Sequence, residues 1–169
     1  IEGITGSAIT VGSDATYRYG LHWKDFAILG GASCCAYGLV FKKVINSRFD
    51  NVHVLLGATA AAIYINWAIC NYYNFIISTN QAGIYPETPS APFMGIYCAG
   101  DSGVATVYNA NEFECIIEGC NDVGLYIYSS GINVNNDIRV IYEGNINHGV
   151  FVIFFLIYSD FTTFSQCRH

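Results

Sequence analysis

Glu118 and Glu143 each stand directly before a glycine and lie 25 residues apart in a chain of 169. In a fold that stacks residues at that interval, their backbones would be about 5 Å apart, the spacing of paired strands. Carboxyl groups about 5 Å apart suit glycoside hydrolysis with retention, and about 6.5–9.5 Å suits inversion. Two like charges held close also raise one carboxyl pKa, as a general acid requires. These glutamates are the catalytic candidates. The plainer account is a pair of solvated corner residues splayed to relieve repulsion. Spacing alone favours that account, because an acid/base pair needs convergence as well.

The tyrosines offer a second kind of chemistry. Tyr64, Tyr97 and Tyr126 each take the middle position of an apolar-x-apolar segment, Phe151 takes it in the next, and Tyr72 and Tyr128 lie nearby. An outward row of such rings would present sugars with apolar faces and a polar handle. Tyr64, Tyr97 and Tyr126 are therefore substrate-binding candidates, with Asp101 joining from a loop. Exposed aromatic rows equally mark protein interfaces, so both readings stay open. Asp101 and Asp122 flank adjacent turns, and nothing fixes their direction. Arg48 and His53 are able to meet an acidic sugar, although such residues are more often simply solvated.

The elements that must position these residues follow from a repeat. Asn111-Glu112-Phe113-Glu114-Cys115-Ile116-Ile117-Glu118-Gly119 is answered, 25 residues on, by Asn136-Asp137-Ile138-Arg139-Val140-Ile141-Tyr142-Glu143-Gly144. Gly124-Leu125-Tyr126-Ile127 is answered by Gly149-Val150-Phe151-Val152 at the same offset. Self-similarity at a period of about 20–50 residues marks a repeat architecture. One recurring element reads Ile9-x-Val11, Leu39-x-Phe41, Ile63-x-Ile65, Ile96-x-Cys98, Leu125-x-Ile127 and Val150-x-Val152. The other is an acid or Asn before an apolar-x-apolar unit, opening at Asp25, Asn51, Asn74, Glu112 and Asp137, with a weaker copy at Asp160. Its intervals are 26, 23, 38, 25 and 23 residues.

Each unit has period 2 and is too short for an independent helix. The pattern predicts an all-β coil of parallel strands (a solenoid) of about six turns, in which a turn closes its core only by stacking on its neighbours. The recurring Asn or acid is expected at a corner, bonding backbone groups that a turn leaves unpaired. That is the simpler role for Glu112 and Asp137 as well. Gly20, Gly30, Gly31, Gly38, Gly57, Gly119, Gly124, Gly144 and Gly149 are expected at other corners, with positive φ.

Composition agrees with a single, core-rich domain over residues 1–169. Hydrophobic residues make up 53% and charged residues 12%, which excludes a disordered chain. The net charge of −6, with seven Lys and Arg, argues against nucleic acid and anionic lipid as partners but leaves polysaccharide open. The run from Gly149 to Tyr158 is far short of the ~20 residues that span a bilayer. Ile1-Glu2-Gly3 opens the chain without an initiator Met, which suggests a piece of a longer protein. All three prolines lie in the stretch from Ser78 to Pro92, read as an inserted loop (78–92), and a smaller loop covers Ala99 to Thr106.

Seven cysteines show no CxxC spacing, and His22, His53, His148 and His169 show no ligand spacing, so neither a metal nor another cofactor is expected. Cys70, Cys98 and Cys115 fall in apolar runs and are read as small interior hydrophobes in a mostly reduced set. Cys34 and Cys35 are adjacent in a Gly-rich turn, and Cys120 and Cys167 are isolated.

Short strands between glycines, Asn at a recurring corner and a turn of about 25 residues resemble the right-handed parallel β-helix of the pectate-lyase-like superfamily. Asn46-Ser47-Arg48-Phe49-Asp50-Asn51-Val52-His53-Val54 is similar to a turn of that group. So is Leu21-His22-Trp23-Lys24-Asp25-Phe26-Ala27-Ile28-Leu29-Gly30-Gly31. The resemblance spans Ser7 to about Phe164, and its texture is most like bacteriophage tailspike and tail-fibre β-helices or their pectate-lyase-superfamily relatives. It implies a polysaccharide partner bound along the coil, an extracellular or virion-associated place, and a homotrimer. The Asp-Asp pair, Gly-His-Gly and Arg-x-Lys segments of polygalacturonase-like members are absent, as is the Asp cluster with Arg of calcium-dependent pectate lyases. The leading expectation is recognition of a polysaccharide, extending to its hydrolysis. The alternatives are a non-catalytic structural or adhesive stalk, and a lyase or epimerase acting on uronic acids.

Overall fold

The computed structural model describes residues 6–30, 34–55, 57–78, 94–99, 107–129, 133–134, 136–143, 148–154 and 163–165. For 129, 133–134, 143, 148–154 and 163–165 the description is of the backbone. The described residues form strands and no helix. In chain order these are β1 (Ser7–Gly12), β2 (Arg18–Tyr19), β3 (His22–Leu29), β4 (Cys35–Ile45) and β5 (Arg48–Leu55). There follow β6 (Ala58–Ile69), β7 (Tyr72–Ser78), β8 (Met94–Ala99), β9 (Tyr108–Asn109) and β10 (Glu112–Glu118). The last are β11 (Val123–Ser129), β12 (Asn133–Val134), β13 (Asp137–Glu143), β14 (His148–Phe154) and β15 (Thr163–Ser165).

Every pairing is parallel, and each turn of chain adds one strand to each of two facing sheets. Sheet A runs β1-β4-β6-β8-β11-β14 and sheet B runs β3-β5-β7-β10-β13-β15. The chain is an all-β parallel solenoid. About four turns are bonded on both sides (β4/β5, β6/β7, β8/β10 and β11/β13), fewer than the six expected; β1/β3 and β14/β15 are terminal rungs bonded on one side. A narrow third face arises where β4 and β6 bend at Lys43 and Trp67, both at positive φ (52° and 65°). Beyond the bends, Val44-Ile45 and Ala68-Ile69 pair with each other and with β2 and β9, and β9 pairs with β12.

The recurring apolar elements stack as the sequence requires. On sheet A, Ile9, Leu39, Ile63, Ile96, Leu125 and Val150 fall in one register, and Val11, Phe41, Ile65, Cys98, Ile127 and Val152 in the next. On sheet B, Phe49, Tyr73 and Phe113 stack along the interior with centroids 5.5 and 5.0 Å apart. Phe41 reaches across from sheet A to within 4.5 Å of the Phe49 ring, which closes the core between the sheets. Each such fully buried side chain contributes about 1.5–3 kcal/mol relative to exposure.

Register corrects one expectation. Glu112 pairs with Tyr72, and Phe113 pairs with Tyr73, so Glu112 does not hold the place of Asn51 and Asn74. The residue level with Asn74 is Glu114, whose carbonyl accepts from Asn74 Nδ2 at 3.1 Å. The slip is two residues. Because strand alternation has period 2, the inward and outward assignments survive it. The proposed copy at Asp160-Phe161 lies outside the described residues; β15 puts Thr163 opposite Asp137.

The corner before each sheet-B strand is built by a buried ladder. Asn71 accepts the Ser47 N–H at Oδ1 (2.9 Å) and donates from Nδ2 to the Val44 carbonyl (2.8 Å). Asn111 does the same for Asn71 N–H (3.1 Å) and Ala68 O (3.0 Å), and Asn136 for Asn111 N–H (3.0 Å) and Tyr108 O (3.2 Å). Ser47 completes the row, its Oγ accepting from Leu21 N–H at 3.0 Å. Each Asn thus clamps the four-residue corner of the turn before it, and Ser47 holds only the amide. The third corner residue is left-handed: Asn46 (φ 48°), Cys70 (φ 54°) and Ala110 (φ 52°). Of the glycines expected at corners with positive φ, Gly20 and Gly119 have it among the described residues, whereas Gly38 and Gly124 lie inside β4 and β11. The clamp holds non-glycine residues in a conformation that costs an L-residue roughly 1–2 kcal/mol. Cys70 is accordingly exposed at a corner and not interior as expected, while Cys98, Cys115 and Cys120 are buried thiols.

Candidate functional site

The tyrosine row stands on the outer surface of sheet A. Leu125 and Ile127 point into the core, so Tyr126 between them points out, and Tyr64 and Tyr97 share its register. Tyr37 rests on Tyr64 with ring centroids 5.0 Å apart. Tyr64–Tyr97 follows at 5.5 Å and Tyr97–Tyr126 at 5.3 Å. The rings are tilted by 34–52° to one another, so edges and hydroxyls alternate with partly covered faces. Tyr64 is 8% exposed, while Tyr97 and Tyr126 are half-buried. Burial first, and then the neighbouring Tyr126, Tyr37 and Tyr128, hold the Tyr97 hydroxyl above its ordinary pKa, so it stays a neutral donor and acceptor. Tyr37 has no clear signal in the sequence. Tyr37 packs with Val40 and Tyr64 on the outer side although Cys35, Leu39 and Phe41 of the same strand lie in the core, so strict alternation does not place it there.

The outer face of sheet B carries a chain of polar contacts. Arg48 binds Asp50 through Nε (2.9 Å) and Nη2 (3.3 Å), and its guanidinium lies 4.0 Å from the centroid of the Tyr72 ring. Asp50 is held below the usual carboxylate range by that Arg48 bond. The Tyr72 hydroxyl donates to Glu114 Oε2 at 2.6 Å, and burial, with Glu114 beside it, pushes its pKa up to about 12. Arg139 bonds Glu112, pairs with Asp137 at 3.2 Å, and sits 4.0 Å from Glu114. Two open grooves flank this chain. One, of about 400 Å³, runs along the ladder corner between Arg48, Tyr72 and Glu112; the other, of about 300 Å³, lies between Asn74, Glu114, Ile116, Arg139 and Ile141. Tyr72 and Arg48 were visible in the sequence only as separate residues, because their partners are up to 42 positions away.

Glu118 and Glu143 are opposite one another in the β10–β13 register, as their 25-residue spacing requires. Glu118 also pairs with Ser78, whose Oγ donates to its Oε2 at 3.0 Å. Both glutamates belong to sheet B, whereas Tyr64, Tyr97 and Tyr126 belong to sheet A. The two halves of the expected sugar site therefore stand on different faces of the coil. Asp101 and the loop at 79–92 lie outside the described residues, as do His169 and Cys167. His53 faces outward and pairs its Nε2 with Asn51 Oδ1 at 3.0 Å. Among the described residues no three His, Cys, Asp or Glu side chains are grouped to hold a metal ion. No helix among them is long and apolar enough to cross a membrane. No protein-family model, curated protein or solved structure matches the chain.

Proposed function

We propose that this protein recognises a polysaccharide, holding it along the outer face of sheet A, outside the cell or on a virion surface. The observation that carries the reading is the Tyr64–Tyr97–Tyr126 row, three rings 5.3–5.5 Å apart along the stacking direction, with the Tyr37 ring 5.0 Å from Tyr64 at its end. A linear glycan needs a binding surface that repeats in one direction, and a solenoid supplies one without further design. Rings held in fixed tilts lose little entropy on binding, and each joins an apolar face to a polar hydroxyl. Affinity electrophoresis against a panel of neutral and weakly acidic polysaccharides tests it. Retardation by at least one glycan is expected, reduced about tenfold in affinity for Tyr97→Ala and for Tyr126→Ala, a change of about 1.4 kcal/mol. Equal retardation of the Tyr97→Ala/Tyr126→Ala double variant would remove the row from the reading. An entirely blank panel would remove the reading itself.

Hydrolysis is the further step in the same proposal, supported by the opposed backbones of Glu118 and Glu143. Release of reducing sugar, lost in Glu118→Gln and in Glu143→Gln, is its measurement. A second reading is a structural stalk in which the aromatic face packs against another chain. The low exposure of Tyr64 and the absence of any charge from the Thr10–Val40–Tyr64–Tyr97–Tyr126 row favour it. In that case Tyr97→Ala lowers the oligomer mass and leaves glycan retardation at zero.

A further inference from the structure

The outer face of sheet B carries the same pattern twice, in opposite senses. On β5, Arg48 is followed one outward position later by Asp50. On β13, Asp137 is followed one outward position later by Arg139. The register through Tyr72 and Glu112 puts Arg48 and Asp137 at the same height along their strands. These two strands are second from either end of the six-strand order β3-β5-β7-β10-β13-β15. They are therefore equidistant from its midpoint, which falls between β7 and β10. Further along each strand an apolar outward row crosses that midpoint. His53, Ile76, Ile116 and Ile141 share one register, with Ile76 and Ile116 on either side of the centre and Ile141 41% exposed.

We propose that the outer face of sheet B is the interface of an antiparallel dimer, its occupant a second copy of this chain. A two-fold axis along the strand direction, through the midpoint between β7 and β10, reverses the coil and keeps position along each strand. It brings Ile76 over Ile116 of the second copy, Arg48 over Asp137, Asp50 over Arg139 and the Tyr72 hydroxyl towards Glu112. The Arg48–Asp137 and Asp50–Arg139 contacts then join opposite signs, and in the outward row Ile76 meets Ile116 while His53 meets Ile141. An isologous interface has to be self-complementary in this way. A two-fold axis along the coil would instead set β10 against β10, bringing Glu112 and Glu114 onto the same glutamates of the second copy, a like-charge juxtaposition that specificity works against. Sheets pack face to face about 10 Å apart, within reach of these side chains. The tyrosine rows of both copies stay outside such a dimer, so the interface is independent of the sugar-binding reading.

Two measurements test the arrangement. Sedimentation equilibrium of the intact chain should read a dimer mass at micromolar concentration, and Tyr97→Ala should leave that mass unchanged. Cross-linking then reads the geometry, in a Cys70→Ser/Cys167→Ser background that removes the exposed corner thiol and the thiol outside the described residues. Mixing His53→Cys chains with Ile141→Cys chains, which stand at one height on β5 and β13, and adding a short bis-maleimide that bridges about 10 Å should give the mixed cross-linked dimer. Neither chain alone should cross-link to more than about a tenth of that extent, because like positions lie three strands, about 14 Å, apart along the coil. A monomer throughout the concentration range, a trimer, or cross-linking of Ile141→Cys chains chiefly to one another would each overturn the proposal.

Discussion

Two ladders of similar side chains climb this solenoid, and they differ in what surrounds them. Ser47, Asn71, Asn111 and Asn136 are 1–4% exposed and satisfy backbone groups that water cannot reach. Asp25, Asn51 and Asn74 form a second row on the outside of sheet B. Asn51 donates from Nδ2 to Asp25 Oδ1 at 2.8 Å, and its N–H donates to Asn74 Oδ1 at 3.0 Å. Left-handed residues recur beside both, at Asn46, Cys70 and Ala110 for the inner row and at Asp25 and Asn51 in the outer one. The inner bonds replace nothing, whereas the outer bonds compete with solvent. A hydrogen bond is worth most where its loss leaves a buried group alone, so the inner ladder is architecture and the outer one is close to neutral.

That contrast can be broken most forcefully at Asn111. Asn111→Ala strands the Asn71 N–H and the Ala68 carbonyl inside the corner. The expected cost is about 3–4 kcal/mol, read as a fall in the urea midpoint. A loss below about 1 kcal/mol would put the inner ladder on the same footing as the outer one. Alkali should act nearly as strongly on the interior. Burial pushes the Cys115 and Cys120 thiols up to about 12, and the Cys98 thiol higher still. Their stabilising contribution is complete below about pH 8, where the unfolded chain also keeps its thiols protonated. It is lost as pH rises from there towards the folded values, by about 1–2 kcal/mol per thiol at pH 10. Thermal melts between pH 8 and pH 10 should therefore fall steadily.

A smaller effect is expected at Asn71→Ser. Ser47 shows that a hydroxyl is able to accept the amide of the preceding turn, although its shorter reach gives up the carbonyl half of the clamp. About 1–2 kcal/mol should be lost. The smallest effect belongs to the outer row. Asn51→Gly removes exposed bonds but relaxes a residue at φ 50°, so stability should stay within about 0.5 kcal/mol of the parent. Asn51→Ala keeps the strain and should be the worse of the two by roughly 1 kcal/mol.

The sequence made the sheet-A rows legible because the three residues starting at Leu39, Ile63, Ile96 and Leu125 pair in constant register. The apolar residues from Ile9 to Val150 recur at their true registers, and the tyrosine row follows from the alternation. Sheet B was harder to read. The left-handed residues at Asp25 and Asn51 insert a bulge that puts Phe49 and Val52 three apart, whereas Phe113 and Cys115 are two apart. Matching on an Asn or acid before an apolar residue therefore slides Glu112 onto the wrong row. Glycine was a poor guide to the corners for a related reason: once an Asn from the next turn clamps a corner, Asn46, Cys70 or Ala110 holds it. The polar chain from Asp50 to Arg139 was not legible, since charge identity says nothing of which turn will lie alongside. Glu118 and Tyr126 were expected to serve one sugar site, the glutamate as an acid and the ring as its platform. The bend between β10 and β11 separates them onto two faces.

Direction is the remaining property of the inner ladder. Each Asn serves the turn that precedes it in the chain, never the one that follows. During synthesis the newest turn would therefore emerge with its corner amide open, to be closed only when the next turn is made. A chain shortened from its C-terminal side would leave one corner amide newly open for each turn removed, while shortening from the other side would open none. The solenoid is a ratchet in this respect: every added turn locks the one before it, and unravelling should start where the latest lock is missing.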